Sequence, residues 1–235
     1  MNFGIVQIAL ANDVHSNLKK ICSYIDEAAM AKVDILCFPE CSLTGYKRDF
    51  HKLNQDEITR ALKTLRDIAV ENQLTTIIGT PYFESGKLYN AAFVISSDSQ
   101  LKYFKNNLTE FDKQYFIRGR QTLTFEVKGV KCGLAICRDQ NHPAIFQNYK
   151  QEGVRIVFLP SAHYYLPEET RLKRDKNKAL PIVRALDNKI YVAKANAVGS
   201  QGNYINLGHS IIVNPDGYII SEADEKEEKP LYYEL

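Results

Sequence analysis

The sequence predicts an α/β fold in which helices cover β-sheets. Short apolar runs alternate along the chain with segments whose apolar residues recur every three or four positions, the spacing of one helix face. Two of these runs, 33–38 and 154–159, end at a proline, as expected where a strand stops. With 235 residues, 45% of them hydrophobic, the chain can bury the core of one domain, which we assign to residues 1–235.

Each predicted element has a local signal. Apolar runs bounded by turn-forming residues predict strands at 2–10, 33–38, 74–80, 88–96, 101–105, 122–127, 130–136, 154–159, 190–195, 209–213 and 218–221. Asp13 can cap a first helix, and Asn54 with Glu57 resembles the capping box of a second. Proline suits the first turn of a helix, so Pro143 and Pro181 indicate where a third and a fourth helix begin.

Two charged segments are expected outside the core. Segment 164–180 has mixed charges and precedes Pro181; a solvated face is the favoured interpretation and a substrate-gating loop is the alternative. The acidic stretch 222–229 is expected to form an exposed bend before a short last strand.

Composition narrows the function classes. The chain has 30 Lys and Arg against 28 Asp and Glu, a net charge of +2, which disfavours non-specific nucleic-acid binding. The N-terminus lacks the features of a signal peptide, and no apolar run has the length of a membrane span. We therefore expect a cytoplasmic protein with no membrane and no nucleic-acid partner, whose five cysteines are free thiols.

The cysteine spacing suggests one metal-binding alternative. Cys37 with Cys41 and Cys132 with Cys137 could be four zinc ligands. Along a strand, however, Cys132 and Cys137 have opposite parity, so their side chains point to opposite faces. The gaps also differ from the two-residue spacing of common structural zinc sites, and we expect no metal.

Three chemical groups follow the ends of three predicted strands: the carboxylate of Glu40, the ammonium of Lys105 and the thiol of Cys137. A thiol reacts as the thiolate, so it needs a base to accept its proton and a cation to stabilise negative charge. Cys137 lies at a strand-to-helix corner, where helix N–H groups can bind an oxyanion and are expected to lower the thiol pKa. The alternative is a free cysteine that is buried as a small apolar side chain.

Motifs around these groups resemble those of the nitrilase superfamily of carbon–nitrogen hydrolases. They are Phe38-Pro39-Glu40, Tyr103-Phe104-Lys105 with Leu108, and Gly133-Leu134-Ala135-Ile136-Cys137-Arg138-Asp139. Weaker matches follow in the family's order over the whole chain: 115–119, 159–161, 184–188, 208–210 and 214–217. The resemblance implies a four-layer α-β-β-α sandwich, assembled as a homodimer or larger homo-oligomer.

The resemblance also implies a mechanism. Glu40 is then the general base and Cys137 the nucleophile, and Lys105 stabilises the oxyanion together with the backbone N–H of Arg138. An amide substrate would form a thioester and release ammonia, and water would hydrolyse the thioester to a carboxylic acid. No metal or cofactor is required. The intact set Glu40, Lys105 and Cys137 argues against a catalytically silent binding or regulatory protein on the same scaffold.

The sequence departs from the family pattern at a supporting carboxylate. Many members have a second glutamate before the Tyr-Phe motif, and here either Asp112 or Glu110 could take that place. Arg138 replaces a frequent aromatic residue. Its guanidinium would suit an acidic substrate, such as the monoamide of a dicarboxylic acid, unless it pairs with Asp139.

Candidate substrate-binding residues are those that follow strand ends or motif residues: Tyr46, Arg138, His163 and Tyr164. For His163 a structural role is an equal alternative. The favoured substrate is a small linear amide, and an N-carbamoyl amine or amino acid is the second choice. Acyl transfer to an amine would need an acceptor pocket that the sequence does not reveal.

Overall fold

The computed structural model describes residues 1–46 and 49–235. The helices are α1 (Val14–Met30), α2 (Gln55–Glu71), α3 (Pro143–Gln151) and α4 (Thr170–Asn188). The strands are β1 (Asn2–Gln7), β2 (Ile35–Cys37), β3 (Thr75–Glu84), β4 (Lys87–Ile95), β5 (Gln100–Phe104), β6 (Thr124–Val127), β7 (Val130–Leu134), β8 (Ile156–Phe158), β9 (Tyr164–Tyr165), β10 (Tyr191–Lys194), β11 (Val198–Gln201), β12 (Tyr204–Leu207), β13 (Ile211–Val213), β14 (Ile219–Glu222) and β15 (Lys229–Glu234).

Two six-stranded sheets have the same internal plan. The first has the order β15-β1-β2-β3-β4-β5, and the second, taken from its opposite edge, has the order β6-β7-β8-β10-β13-β14. In both, the first pair is antiparallel, the next two pairs are parallel and the last two are antiparallel. The repeated strand-then-proline pattern at 33–39 and 154–160 therefore marks corresponding central strands, β2 and β8.

Three apolar cores separate four layers. One core lies between α1, α2 and the first sheet, and includes Ile21 and Leu65. A second joins the facing sides of the two sheets, where Phe3 packs edge-to-face against Phe158. A third lies between the second sheet and α3 and α4, and includes Phe146. The α-β-β-α sandwich expected from the resemblance is confirmed.

Helix starts follow the predicted signals in three cases. The Asp13 side chain accepts a hydrogen bond from the Ser16 N–H, and Asn54 accepts from the N–H groups of residues 56 and 57. Pro143 is in the first turn of α3. These bonds satisfy N–H groups that have no acceptor inside the helix.

The start of α4 was predicted wrongly. The helix begins at Thr170, eleven residues before the expected start, and Pro181 lies inside it. Proline removes one helix hydrogen bond, the one to the carbonyl four residues earlier, which belongs to Asn177. That carbonyl instead accepts a hydrogen bond of 3.0 Å from Nζ of Lys194. A tertiary contact therefore allows the helix to pass through the proline.

The segment 196–208 contains structure that the sequence analysis did not predict. Strands β11 and β12 form a small antiparallel sheet with β9, next to the two large sheets. These strands have only four, four and two residues, which is too short for a clear alternation of apolar and polar side chains. None of the helices in the described ranges is both long enough and apolar enough for a bilayer.

Gly79 in β3 allows the chain after β2 to pass close to the first sheet. Its carbonyl accepts from the Leu43 N–H at 3.1 Å, and its N–H donates to Oγ of Ser42 at 3.2 Å. A Cβ at this position would lie 2.5 Å from the Pro39 carbonyl oxygen and 2.9 Å from Cα of Glu40. Only glycine fits here, because the neighbouring atoms belong to the backbone.

We expect Gly79→Ala to lower the free energy of unfolding by about 2 kcal/mol, the cost of forcing extra volume into a packed core. Chemical denaturation measures this loss. Gly86→Ala is the control, because a Cβ there meets no atom within 4 Å and only the positive φ of 74° is strained, at about 1 kcal/mol. A loss at Gly79 no larger than that at Gly86 would contradict the steric argument.

Candidate active site

The three groups predicted from strand ends converge in the structure. Glu40 follows β2, Lys105 follows β5, and Cys137 follows β7 after two further residues. Their exposed fractions are 1%, 0% and 6%. The Nζ atom of Lys105 lies 2.6 Å from Oε1 of Glu40. The thiol of Cys137 lies beside the same carboxylate, close enough for Glu40 and Lys105 both to alter its pKa.

A second carboxylate completes the surroundings of Lys105. Oδ2 of Asp112 lies 2.7 Å from Nζ of Lys105, and Oδ1 accepts a hydrogen bond of 2.9 Å from the Tyr46 hydroxyl. The Thr109 N–H donates to Oδ2 at 2.9 Å. Glu110 is exposed instead and pairs with Lys113 at 2.6 Å. Of the two candidates for the supporting carboxylate, Asp112 is therefore the one in contact with Lys105.

Charge and burial set the protonation of this cluster. Burial lowers the pKa of Lys105, but the charges of Asp112 and Glu40 outweigh burial and raise this pKa well above its usual value. Burial also opposes ionisation of Asp112, yet Lys105 and hydrogen bonds from Thr109 and Tyr46 hold the pKa of Asp112 below its usual value. Lys105 and Asp112 are thus ionised at neutral pH.

Glu40 differs from Asp112 in its surroundings. Burial raises the pKa of Glu40 and the Asp112 charge adds to the rise, while Lys105 and Asn90 lower it in part. Nδ2 of Asn90 donates to Oε1 at 2.8 Å, whereas Oε2 is buried and has no hydrogen-bond partner among residues 1–46 and 49–235. Glu40 is therefore the carboxylate in this cluster that is best able to accept a proton.

Cys137 occupies a sharp elbow in the backbone. Its φ is +46°, a left-handed conformation that is uncommon for a residue with a side chain. The Cys137 N–H donates to the Pro160 carbonyl at 2.9 Å, which joins the elbow to the end of β8. A 3₁₀ turn, Cys137–Asn141, begins here, and α3 starts only at Pro143. The N–H of Arg138, in the first turn, has no acceptor inside that turn and is available for an oxyanion.

The expectation that a helix N-terminus lowers the pKa of Cys137 was wrong. Burial raises the pKa of the Cys137 thiol, Glu40 raises it further, and Lys105 and the Ala162 N–H reverse only part of the rise. A short 3₁₀ turn has a weaker dipole than a long helix, so desolvation of the thiolate dominates. The resting side chain is a thiol, and its ionisation requires a base such as Glu40.

Asp139 joins the elbow at Cys137 to β5 and the residues that follow Lys105. The sequence analysis did not assign this function to Asp139. Oδ2 accepts from the Ile136 N–H at 2.9 Å and from the Tyr103 hydroxyl at 2.8 Å. Oδ1 accepts from the N–H and the side chain of Asn107 at 2.8 and 2.9 Å. Asp139 is thus fully used by other donors, and the Arg138 side chain is exposed at the pocket. A carboxylate two residues after the motif cysteine was the available sequence signal.

A cavity of about 430 Å³ opens over Cys137. All four predicted wall residues line it: Tyr46, Arg138, His163 and Tyr164. The rings of Tyr46 and Tyr164 are stacked with centroids 6.2 Å apart. Burial lowers the pKa of His163 well below its usual value, with smaller effects from Lys194 and Lys105, so this imidazole is neutral. Nε2 of His163 lies 3.2 Å from Nε2 of Gln140.

Part of the cavity wall comes from segment 164–180, for which the sequence allowed two interpretations. Besides Tyr164 and Tyr165 of β9, four of its residues, on α4 or just before it, line the cavity: Glu169, Lys173, Lys176 and Asn177. The segment therefore has exposed positions such as Leu172, at 79% exposure, and also contributes to the pocket. The exposed positions agree with the solvated face that was favoured. Residues 170–180 are helix rather than loop, and substrate gating by the segment stays a prediction.

The cysteines do not gather at one point. Cys37 and Cys132 belong to the core between the two sheets, whereas Cys41 belongs to an aromatic cluster with Tyr46 and Phe50. All five cysteines are free thiols. Across the described ranges, no group of three or more His, Cys, Asp and Glu side chains is placed to hold a metal ion.

Known proteins resemble this chain over nearly its whole length. The carbon-nitrogen hydrolase family model matches residues 3–235. Omega-amidase NIT2 of Homo sapiens is 28% identical, with 95% of this chain and 84% of that protein covered. Omega-amidase NIT2 of Xenopus tropicalis is 30% identical, with the same coverage of both chains.

Two further similarities extend the comparison. Glutamine-dependent NAD(+) synthetase of Aquifex aeolicus (strain VF5) is 31% identical over 97% of this chain but only 41% of its own length. The crystal structure of an amidase from Nesterenkonia sp. has the same fold, with a TM-score of 0.89 and 24% identity over 100% of this chain and 90% of that one. The family match and the converging Glu40, Lys105 and Cys137 agree, and the chain belongs to the carbon–nitrogen hydrolase family.

Proposed function

We propose that this protein hydrolyses the amide C–N bond of a small linear amide and releases ammonia and a carboxylic acid. The observation that carries the proposal is the buried Lys105 ammonium held between Glu40 and Asp112, beside the Cys137 thiol. The cluster contains the base, the cation and the nucleophile that amide cleavage through an acyl-enzyme requires. The omega-amidase relatives support the amide class.

In the first half of the reaction, Oε2 of Glu40 accepts the proton of the Cys137 thiol as sulfur attacks the amide carbon. The negative charge that develops on the carbonyl oxygen is stabilised by Lys105 and the Arg138 N–H, each such donor contributing about 3 kcal/mol. Protonated Glu40 then donates its proton to the amide nitrogen. The C–N bond breaks, ammonia leaves, and the acyl group remains on sulfur as a thioester.

In the second half, water replaces ammonia. Glu40 accepts a proton from the water as its oxygen attacks the thioester carbon, and the same two donors stabilise the second oxyanion. The C–S bond breaks, Glu40 returns the proton to sulfur, and the carboxylic acid leaves. Asp112 takes no proton in this scheme; its charge keeps Lys105 protonated and its oxygen fixes the position of Nζ.

The charge of the pocket favours a substrate with an anionic end. Three cationic side chains line the cavity, from Arg138, Lys173 and Lys176, against the carboxylates of Glu110 and Glu169. Glu110 is paired with Lys113, and Glu169 accepts from the Leu166 N–H. The monoamide of a dicarboxylic acid would place its amide at Cys137 and its carboxylate toward these cations.

Other substrates and roles remain as alternatives. An N-carbamoyl amine would undergo the same attack and would be hydrolysed to ammonia, carbon dioxide and the free amine. Acyl transfer would need an amine in place of water. A catalytically silent binding protein would have no use for the Lys105 cluster. The proposal includes a homodimer or larger homo-oligomer through the resemblance to the family. It also includes a cytoplasmic location without nucleic-acid or membrane partners, on the basis of the charge balance and the apolar runs of the sequence.

We expect Cys137→Ala to abolish ammonia release, because no nucleophile remains. Its melting temperature should stay within a few degrees of the wild type, since the side chain is small and its thiol has no structural partner as strong as an ion pair. The half-buried Cys22 on α1 provides the control, and Cys22→Ala should retain activity. Full activity of Cys137→Ala would refute the mechanism. In the wild-type protein incubated with the amide, the lack of an acyl adduct on Cys137 in mass spectra would refute it as well.

The acid side of the pH profile of kcat/KM should follow Glu40, which acts as a base only when it is deprotonated. Activity should therefore fall as pH drops through the raised pKa of Glu40. Asn90→Ala removes a hydrogen bond that lowers this pKa, so the loss should begin at a higher pH. Thr80→Ala is the control, because the Thr80 hydroxyl donates to the Pro81 carbonyl. An unchanged acid limb in Asn90→Ala would rule out Glu40 as the titrating base.

Arg138→Leu tests the acidic substrate. For a monoamide of a dicarboxylic acid, KM should rise by about tenfold, the effect of losing one charged contact. For an uncharged amide of similar length, KM should change little. Lys20→Leu is the control, because Lys20 on α1 pairs with Glu228 and neither residue lines this cavity. Equal effects of Arg138→Leu on both amides would contradict recognition of an anionic end.

A further inference from the structure

Lys194, at the end of β10, is a buried lysine that the proposed mechanism does not use. Its exposed fraction is 0%, and no ion pair within residues 1–46 and 49–235 includes it. Burial lowers the pKa of Lys194 to about 8, with Cys137 and Glu222 opposing and Lys178 adding to that effect. Burying an amino group costs free energy unless its hydrogens are bonded, so its contact requires an explanation.

The contact is a helix carbonyl. Nζ of Lys194 donates to the Asn177 carbonyl oxygen at 3.0 Å. In a regular α-helix this oxygen would accept from the N–H of residue 181, which here is a proline and has none. The amino group therefore occupies the place of the missing helix donor. Both the ammonium and the neutral amine have N–H groups, so either protonation state can make this bond.

The helix turn that this bond fixes belongs to the pocket. The preceding part of α4 contributes Lys173, Lys176 and Asn177 to the cavity wall. Nδ2 of Asn177 also donates to the Tyr165 hydroxyl at 3.3 Å, and Nζ of Lys173 lies 5.3 Å from the centre of the Tyr165 ring. Movement of this turn would displace all of these wall residues together.

Lys194 itself is not part of the cavity wall, so its amino group is not placed to bind substrate directly. Its strand, β10, is an interior one that pairs with β8 on one side and β13 on the other in the second sheet. The side chain thus links the sheet that supports Cys137 to the helix that covers it.

We propose that Lys194 is a positioning residue for substrate binding: it supplies the hydrogen bond that Pro181 cannot make and thereby holds the pocket-forming half of α4 over Cys137. The kinetic part of its test depends on the proposed amide hydrolysis. The structural part, exchange of the α4 amides, does not.

A double-mutant cycle separates this role from the others. Lys194→Met removes the donor but keeps most of the side-chain volume, and Pro181→Ala restores a helix N–H to the Asn177 carbonyl. We expect Lys194→Met to raise KM by about tenfold, with kcat within about threefold, because a buried acceptor loses its partner and the wall moves. In the double variant, KM should return to within about twofold of the wild type.

Hydrogen exchange of the α4 backbone amides measures how firmly this part of the helix is held, and it does not depend on catalytic turnover. Amides of residues 170–180 should exchange faster in Lys194→Met and recover in the double variant. Lys150→Met is the matched control: Lys150 donates to the carbonyl of Asp187 at the other end of α4, at an exposed position, so its loss should alter neither measurement. If no variant hydrolyses amides but exchange follows this pattern, the proposed function fails and the positioning role stands.

Three results would overturn the proposal. The first is normal KM and normal exchange in Lys194→Met. The second is a fall in kcat that Pro181→Ala does not reverse, which would mean that Lys194 acts through its charge on Cys137. The third applies if Lys194→Met fails to fold: a double variant that also fails to fold would show that the helix donor cannot replace the lysine.

Discussion

The ammonium of Lys105, buried between two carboxylates, is the interaction on which the rest of the site depends. One cation is shared by two anions at 2.6 and 2.7 Å, and all three side chains are buried. Such a cluster is costly to desolvate, so it persists only with further hydrogen bonds. These hydrogen bonds are distributed unequally between the two carboxylates, and this difference matters for function. Asp112 receives bonds from Thr109 and Tyr46 and remains ionised, whereas one oxygen of Glu40 has no hydrogen-bond partner in the described part of the chain and the pKa of Glu40 is raised. Environments that push two pKa values apart separate the base from the anion that supports it.

The architecture brings these groups together by repeating one plan. Both sheets have the same succession of antiparallel and parallel pairs, and Glu40 and Cys137 each follow one of the parallel-paired strands. The apolar core between the sheets fixes their separation. Asp139 then connects the two halves locally, because it binds the elbow through the Ile136 N–H and the lysine side through Tyr103 and Asn107. The reacting groups are therefore held by elements far apart in the chain but rigidly joined.

The pocket above the cluster is built from less regular parts. Tyr46 contacts both sides of the site: its hydroxyl donates to Asp112, its ring lies 5.8 Å from Nζ of Lys105, and it stacks on Tyr164. Another part of the wall is α4, in which Lys194 bonds the carbonyl that Pro181 leaves without a helix donor. A fixed catalytic cluster below a separately supported wall allows substrate preference to change without altering the chemistry.

The sequence by itself determined the α/β class, most of the strands and the three strand-end groups, because apolar periodicity, turn residues and short motifs are local properties. It also determined family membership, since motif order is visible along the chain. Only the tertiary structure decided between Asp112 and Glu110, which are two residues apart: Asp112 is buried against Lys105, whereas Glu110 is exposed and pairs with Lys113. It likewise reversed the expected pKa shift of Cys137, because desolvation depends on everything packed around the thiol. The start of α4 was beyond the sequence for the same reason: the donor that replaces the proline N–H comes from a strand that is distant in the chain and adjacent only after folding.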